Sequence, residues 1–124
     1  MVKVACTQAI HESGFNTAKG GSTLADDYNN LFGIKGSGTD GFVSLPTNEY
    51  EDGAMEVLDQ DFAAFLSVTD CFKAHRVLME KPRYTRVLSA TTPEDAFKQL
   101  YYCGYATDPA YAGELINLYH SLFT

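Results

Sequence analysis

Glu12 closes the stretch Gln8-Ala9-Ile10-His11-Glu12, and Ser13-Gly14-Phe15 follow it at once. Ala5, Ala9 and Glu12 share one helical face by their spacing, so the carboxyl stands beside small residues that permit close packing. Gly14 reads as the helix stop, which puts Glu12 in the last turn, where the negative end of the helix dipole disfavours ionisation. A carboxyl biased towards its protonated form is what a general acid needs near neutral pH. The competing reading is a solvated glutamate at a frayed helix end. A second carboxylate, Glu49, lies in Thr47-Asn48-Glu49-Tyr50, just before an Asp52-Gly53 turn signal, with Glu51 and Glu56 as nearby rivals. Two carboxylates facing one another across a groove with aromatic walls suggest hydrolysis of a glycosidic bond.

Other chemistries fit less well. His11, His75 and His120 show no zinc spacing, and His75 reads as a packed helix residue. The glycines at 36, 38 and 41 lack a phosphate-loop ending, Ser13 has no nucleophile-elbow context, and the aspartates do not match a calcium loop. No metal or other cofactor is expected. A net charge of −7 without a basic run argues against nucleic acid. No apolar run reaches membrane-spanning length, and no signal peptide is legible.

The elements that must position Glu12 and Glu49 are a mainly helical body and a small β lobe. The 124 residues, 45% of them apolar and 20% charged, suit one domain with its own core. Val2 to Ser13 is the first helix, and 16–30 reads as an irregular connection in which Ser22 can cap a helical turn. Phe42 to Leu45 reads as extended and stopped by Pro46, and the runs flanking Glu51-Asp52-Gly53 read as a hairpin within a β lobe of about 33–60. A helix from about Asp70 to Lys81 follows the Ser67 capping signal and ends before Pro82. Thr92-Pro93-Glu94-Asp95 opens a helix that Gly104 ends, Asp108-Pro109 opens the last one, and Tyr105 sits on the elbow between them. Cys6, Cys71 and Cys103 read as small apolar residues, with one disulfide plus a free thiol as the alternative.

Five blocks, taken together, carry a resemblance. Gln8-Ala9-Ile10-His11-Glu12-Ser13-Gly14, Asn30-Leu31-Phe32-Gly33-Ile34-Lys35-Gly36, Thr47-Asn48-Glu49-Tyr50-Glu51-Asp52-Gly53, Arg83-Tyr84 and Gly104-Tyr105-Ala106-Thr107-Asp108-Pro109-Ala110-Tyr111 resemble, in order, the family 73 glucosaminidases. These are bacterial autolysins, flagellar-type wall hydrolases and phage wall-degrading domains. The resemblance implies a lysozyme-like α+β fold over 1–124 as a single catalytic domain that cleaves the β-1,4 bond between N-acetylglucosamine and N-acetylmuramic acid in peptidoglycan. By the same match Glu12 is the general acid, Glu49 the second carboxylate and Tyr105 the groove tyrosine. Phe15, Asn30, Phe32 and Tyr111 are the candidate substrate-binding residues. Phe15-Asn16 departs from the family's usual tryptophan and glycine, and His11 replaces an apolar neighbour.

The expected partner is the peptidoglycan glycan strand, met in the cell wall, the periplasm or a virion. Targeting is expected to come from a larger protein or a wall-crossing machine, the chain being an excised domain or one delivered without its own signal. The alternatives are a muramidase or lytic transglycosylase of lysozyme-like fold, and a non-catalytic wall-binding or structural module.

Overall fold

The computed structural model describes residues 1–14, 22–51 and 53–124, and among these the side chains of all but 48–51. Phe15, the start of the 16–30 connection, the Asp52 half of the turn signal and the side chain of Glu49 lie outside that description.

Helix α1 (Val2–Ser13) runs between two apolar clusters. Val4 joins the larger one, built with Met79, Tyr84, Val87, Phe97, Leu100, Tyr111 and Leu115. Ala5 and Ala9 join the smaller one, with Leu31, Phe32, Ala63, Phe65 and Cys71. A helix buried on several faces needs small side chains and satisfied polar ones, and α1 supplies both. Thr7 donates its hydroxyl to the Lys3 carbonyl at 2.7 Å, while the alanines let the neighbours approach. Gly14 ends α1 in the left-handed region at φ 74°, its N–H donating to the Ile10 carbonyl.

Ser22 caps α2 (Thr23–Tyr28), accepting from the Ala25 N–H. The chain then turns through 30–41 and enters β1 (Phe42–Glu51), paired antiparallel with β2 (Ala54–Ala63) in the register Glu49 opposite Glu56. The turn between Glu51 and Ala54 is where Asp-Gly predicts it. Pro46, read from sequence as a strand stop, is instead paired with Asp59 inside β1. In a two-stranded ribbon both strands are edges, so an N–H can be lost on the outer side without breaking the ladder.

Ser67 caps α3 (Val68–Met79), which starts and ends two residues before the expected 70–81, because the cap residue itself sets the first turn. A 3-10 turn (Pro82–Tyr84) and α4 (Thr85–Leu88), neither foreseen, lead to α5 (Pro93–Tyr102). α5 starts at the expected Thr92 cap, which accepts from the Asp95 N–H. The last helix, α6 (Tyr111–Phe123), begins after Asp108-Pro109 rather than at it: Asp108 accepts from the Ala110 and Tyr111 N–H groups in a turn that precedes the helix.

This is a mixed, mainly helical lysozyme-like fold with a two-stranded antiparallel sheet. The three cysteines are free thiols, Cys71 buried and the other two partly exposed. No described helix is long and apolar enough to cross a membrane.

Candidate active site

Glu12 lies at the edge of a groove of about 520 Å³ lined also by Phe32, Lys35, Arg83, Tyr84 and Tyr105. Four stretches of the chain supply those walls. The end of α1 brings Glu12, the 30–36 loop brings Phe32 and Lys35, and the segments on either side of α4 and α5 bring Arg83, Tyr84 and Tyr105.

Burial raises the Glu12 pKa above the ordinary carboxylate value. A hydrogen bond from Tyr111 and the proximity of His11 lower it in part. The Tyr111 hydroxyl donates to Glu12 Oε1 at 2.7 Å and itself accepts from Gln8 Nε2 at 3.2 Å. Burial, and next the Glu12 charge, pushes both Tyr111 and Tyr105 well above the usual phenol range, so both stay protonated donors at any working pH. Their rings stack on one another with centroids 6.1 Å apart, and Tyr105 meets Tyr84 edge-on at 6.0 Å. His11 packs edge-on against Tyr111 and lies 3.5 Å from the Glu114 carboxylate, which ties the end of α1 to the first turn of α6.

The 30–34 loop is held from inside. Asn30 is 1% exposed; its amide donates to the Ile34 and Ala63 carbonyls at 3.0 and 2.9 Å. Its carbonyl oxygen accepts from the Phe32 and Ile34 N–H groups at 3.3 and 3.1 Å. The side chain spends its whole hydrogen-bonding capacity on the backbone. Asn30, expected on the substrate, is therefore a buried brace: the type of residue was informative, but its partners are the loop and the base of β2. The brace sets Phe32 against His75, rings 4.0 Å apart and nearly parallel, and edge-on to Phe72. Phe32 is itself buried while forming groove wall.

Arg83, in the Arg83-Tyr84 block, has a structural role that residue type does not reveal. Its guanidinium donates to the Cys103 carbonyl at 2.8 Å and the Gly104 carbonyl at 2.9 Å, fastening the Tyr105 elbow to the 3-10 turn. Gly104 sits at φ +85°, where glycine alone is unstrained, and a Cβ there would stand 2.5 Å from the Arg83 guanidinium and displace it from the elbow. Gln8 and His75 also went unassigned to the site. Gln8 is fully buried, and its amide faces both Tyr111 and the His75 ring. An apolar-face glutamine one turn before a candidate acid was the available signal.

The structure thus gathers Glu12, Phe32 and Tyr105 on one groove and puts Tyr111 behind Glu12 as its hydrogen-bond donor. Glu49 is placed by its backbone alone, in the outer half of β1. Among the described residues no His, Cys, Asp and Glu cluster could hold a metal ion.

Residues 1–123 match the family model described as mannosyl-glycoprotein endo-beta-N-acetylglucosaminidase. The chain is 32% identical over 114 residues to the peptidoglycan hydrolase FlgJ of Escherichia coli K12, covering 90% of this chain and 36% of that protein. It is 33% identical over 118 residues to the exo-glucosaminidase LytG of Bacillus subtilis, covering 90% of this chain and 40% of that protein. The chain therefore spans well under half the length of these relatives. Among solved structures, the catalytic domain of the Listeria monocytogenes autolysin Auto superposes with a TM-score of 0.78 at 30% identity, covering 96% of this chain and 70% of that one. A mutant peptidoglycan hydrolase from Sphingomonas sp. A1 gives a TM-score of 0.76 at 30% identity, covering 96% and 79%. With a family match along nearly its whole length and a likeness in both sequence and fold, the chain belongs to the glucosaminidase family.

Proposed function

We propose that this chain is a single catalytic domain that hydrolyses the β-1,4 bond between N-acetylglucosamine and N-acetylmuramic acid in peptidoglycan, with Glu12 as the general acid. One observation carries the reading above the others: a carboxyl whose pKa is raised by burial, set at the edge of an aromatic groove and held by a hydroxyl donor. Glu12 protonates the leaving glycosidic oxygen as the bond breaks, and the Tyr111 hydroxyl stabilises the carboxylate that results. The partly exposed Tyr105 ring, backed by Tyr84, lines the groove where a sugar ring would lie, and its hydroxyl polarises or orients the 2-acetamido group.

The positive charge that develops on the anomeric carbon needs an anionic or nucleophilic partner. Glu49 fills that role directly, or the substrate's own acetamido oxygen does, with Glu49 in support. The same reading places the domain at the periplasm or cell wall, working within or beside a larger protein. The greater length of the FlgJ and LytG relatives supports that setting.

The deciding experiment is digestion of purified peptidoglycan by wild type, Glu12→Gln and Glu49→Gln, with mass spectrometry of the product ends. Reducing-end N-acetylglucosamine, lost with Glu12→Gln, is the expected result. Reducing-end N-acetylmuramic acid, or its anhydro form, would move the assignment to a muramidase or lytic transglycosylase. No release by folded wild type from several walls would leave a wall-binding or structural module.

A further inference from the structure

Glu12 ends a chain of hydrogen bonds that starts in the middle of the helical body. His75 Nε2 lies 3.0 Å from Gln8 Oε1, Gln8 Nε2 donates to the Tyr111 hydroxyl, and that hydroxyl donates to Glu12 Oε1. Its inner members are sealed: Gln8 is 0%, His75 2% and Tyr111 5% exposed, and the Phe32 ring lies flat on His75.

We propose that Gln8 and His75 are positioning residues for the reaction: acting through Tyr111, they set the direction of this chain so that Glu12 Oε1 always accepts and the transferable proton sits on Oε2. The proposal rests on Glu12 being the acid.

Amides and hydroxyls can be chained in either direction. With the Gln8 amide turned over, Tyr111 would donate inward to Gln8, and a protonated Glu12 would have to donate its proton to the Tyr111 oxygen, away from any substrate. After proton transfer Glu12 has no proton to give, and the reversed chain would leave its Oε1 facing a hydroxyl oxygen with no hydrogen between them. The direction Gln8 to Tyr111 to Glu12 serves both states of the acid. His75 anchors that direction. Burial lowers its pKa to about 4, so it is neutral with one ring proton, and with that proton on Nε2 it can only donate to Gln8 Oε1, which commits the Gln8 NH₂ to Tyr111.

Among the described residues, the groups facing Glu12 are His11 on its own helix, Tyr111 on α6 and Tyr105 on the elbow, with Lys35, Arg83 and Tyr84 lining the same groove. Positions 8 and 75 are not among these six. They act on Glu12 through the Tyr111 hydroxyl.

The test is a double-mutant cycle read as kcat against pH on peptidoglycan, with Gln8→Met, Tyr111→Phe and the pair, each checked for fold by circular dichroism. We expect Tyr111→Phe to lose about tenfold or more in kcat with little change in KM, and to carry the basic limb of the profile to higher pH, since the carboxylate has lost its donor. Gln8→Met leaves that hydroxyl in place without the amide that directs and polarises it, and should move kcat and the limb the same way by a smaller amount. The double variant should be no worse than Tyr111→Phe alone. His75→Gln, which keeps a donor, should retain most of the activity and limb position that His75→Leu loses.

Losses that add in the double variant, or a basic limb that stays at the wild-type pH in folded Gln8→Met, would overturn the proposal. If Gln8→Met does not fold, the His75→Gln and His75→Leu pair decides by the same limb, equal behaviour overturning it. Glu12→Gln in the same assay separates the two readings. Its retention of turnover would remove the acid assignment, whereas its loss alongside an additive cycle would remove the relay alone.

Discussion

The helical body and the β ribbon handle a carboxylate in opposite ways. Glu12 is built into the body, partly buried, with a hydroxyl donor behind it and two further buried polar groups behind that. Glu49 is carried on a ribbon whose facing strand is exposed from Ala54 to Asp59 and becomes buried only at Ala63, near its base. Val57 and Met55 stand in solvent there, 69% and 53% exposed. A proton donor gains from a dry, fixed setting that shifts its pKa, and that setting requires a core. A charge-stabilising carboxylate does its work while ionised and gains from water when no substrate is present. On the proposed function, the contrast between anchored acid and ribbon-borne carboxylate divides the catalytic work as well as the architecture.

The largest effect that can break this comparison is catalytic. Glu12→Gln should lower the hydrolysis rate by about 10³-fold or more, and Glu49→Gln by about 10- to 100-fold. Equal losses would mean that the ribbon's carboxylate acts as directly as the body's.

The next effect is on stability. Asn30→Ala should cost about 3 kcal/mol, because it orphans the Ala63 and Ile34 carbonyls and the N–H groups of Phe32 and Ile34. Urea unfolding would measure it, and a loss below about 1 kcal/mol would mean that water readily replaces the brace.

Smaller still, Glu12→Gln should raise Tm by about 3 °C at neutral pH. The folded state holds the Glu12 proton more tightly than the unfolded chain does, so the penalty of ionising it is fully present above the folded pKa. It fades as pH falls through that value towards the unfolded one, and the Tm gain of Glu12→Gln should vanish in parallel. A gain that instead grows towards acid pH would contradict burial as the cause. Smallest of all, Val57→Ser on the ribbon should change stability by less than about 0.5 kcal/mol. A larger loss would mean that the ribbon packs on the body.

Local chemistry was legible where neighbours in the chain are also neighbours in space. Ser67 and Thr92 cap helices because a hydroxyl reaches an N–H three residues on, and Gly14 ends α1 because its own backbone can turn left-handed. The Glu-Ser-Gly and Asn-Leu-Phe-Gly blocks likewise pointed to the groove that Glu12 and Phe32 share. Pro46 misled because a proline is a stop only where its missing N–H was needed, and a two-stranded ribbon has outer positions where it was not. Asn30 misled in another way. An amide advertises hydrogen bonds without saying to whom, and burial assigned them to the backbone.

The ordered motif blocks were enough for the family, and residue types and spacing for the longer helices after Ser67 and the hairpin turn. The company that Glu12 keeps came from packing. Tyr111 lies 99 positions from Glu12 and 103 from Gln8, while His75 lies 67 from Gln8. No local rule links them, because those contacts exist once α3 and α6 dock against α1 and close its polar face into a dry interior. The raised pKa of Glu12 follows from that docking, since desolvation is a property of everything packed around a group.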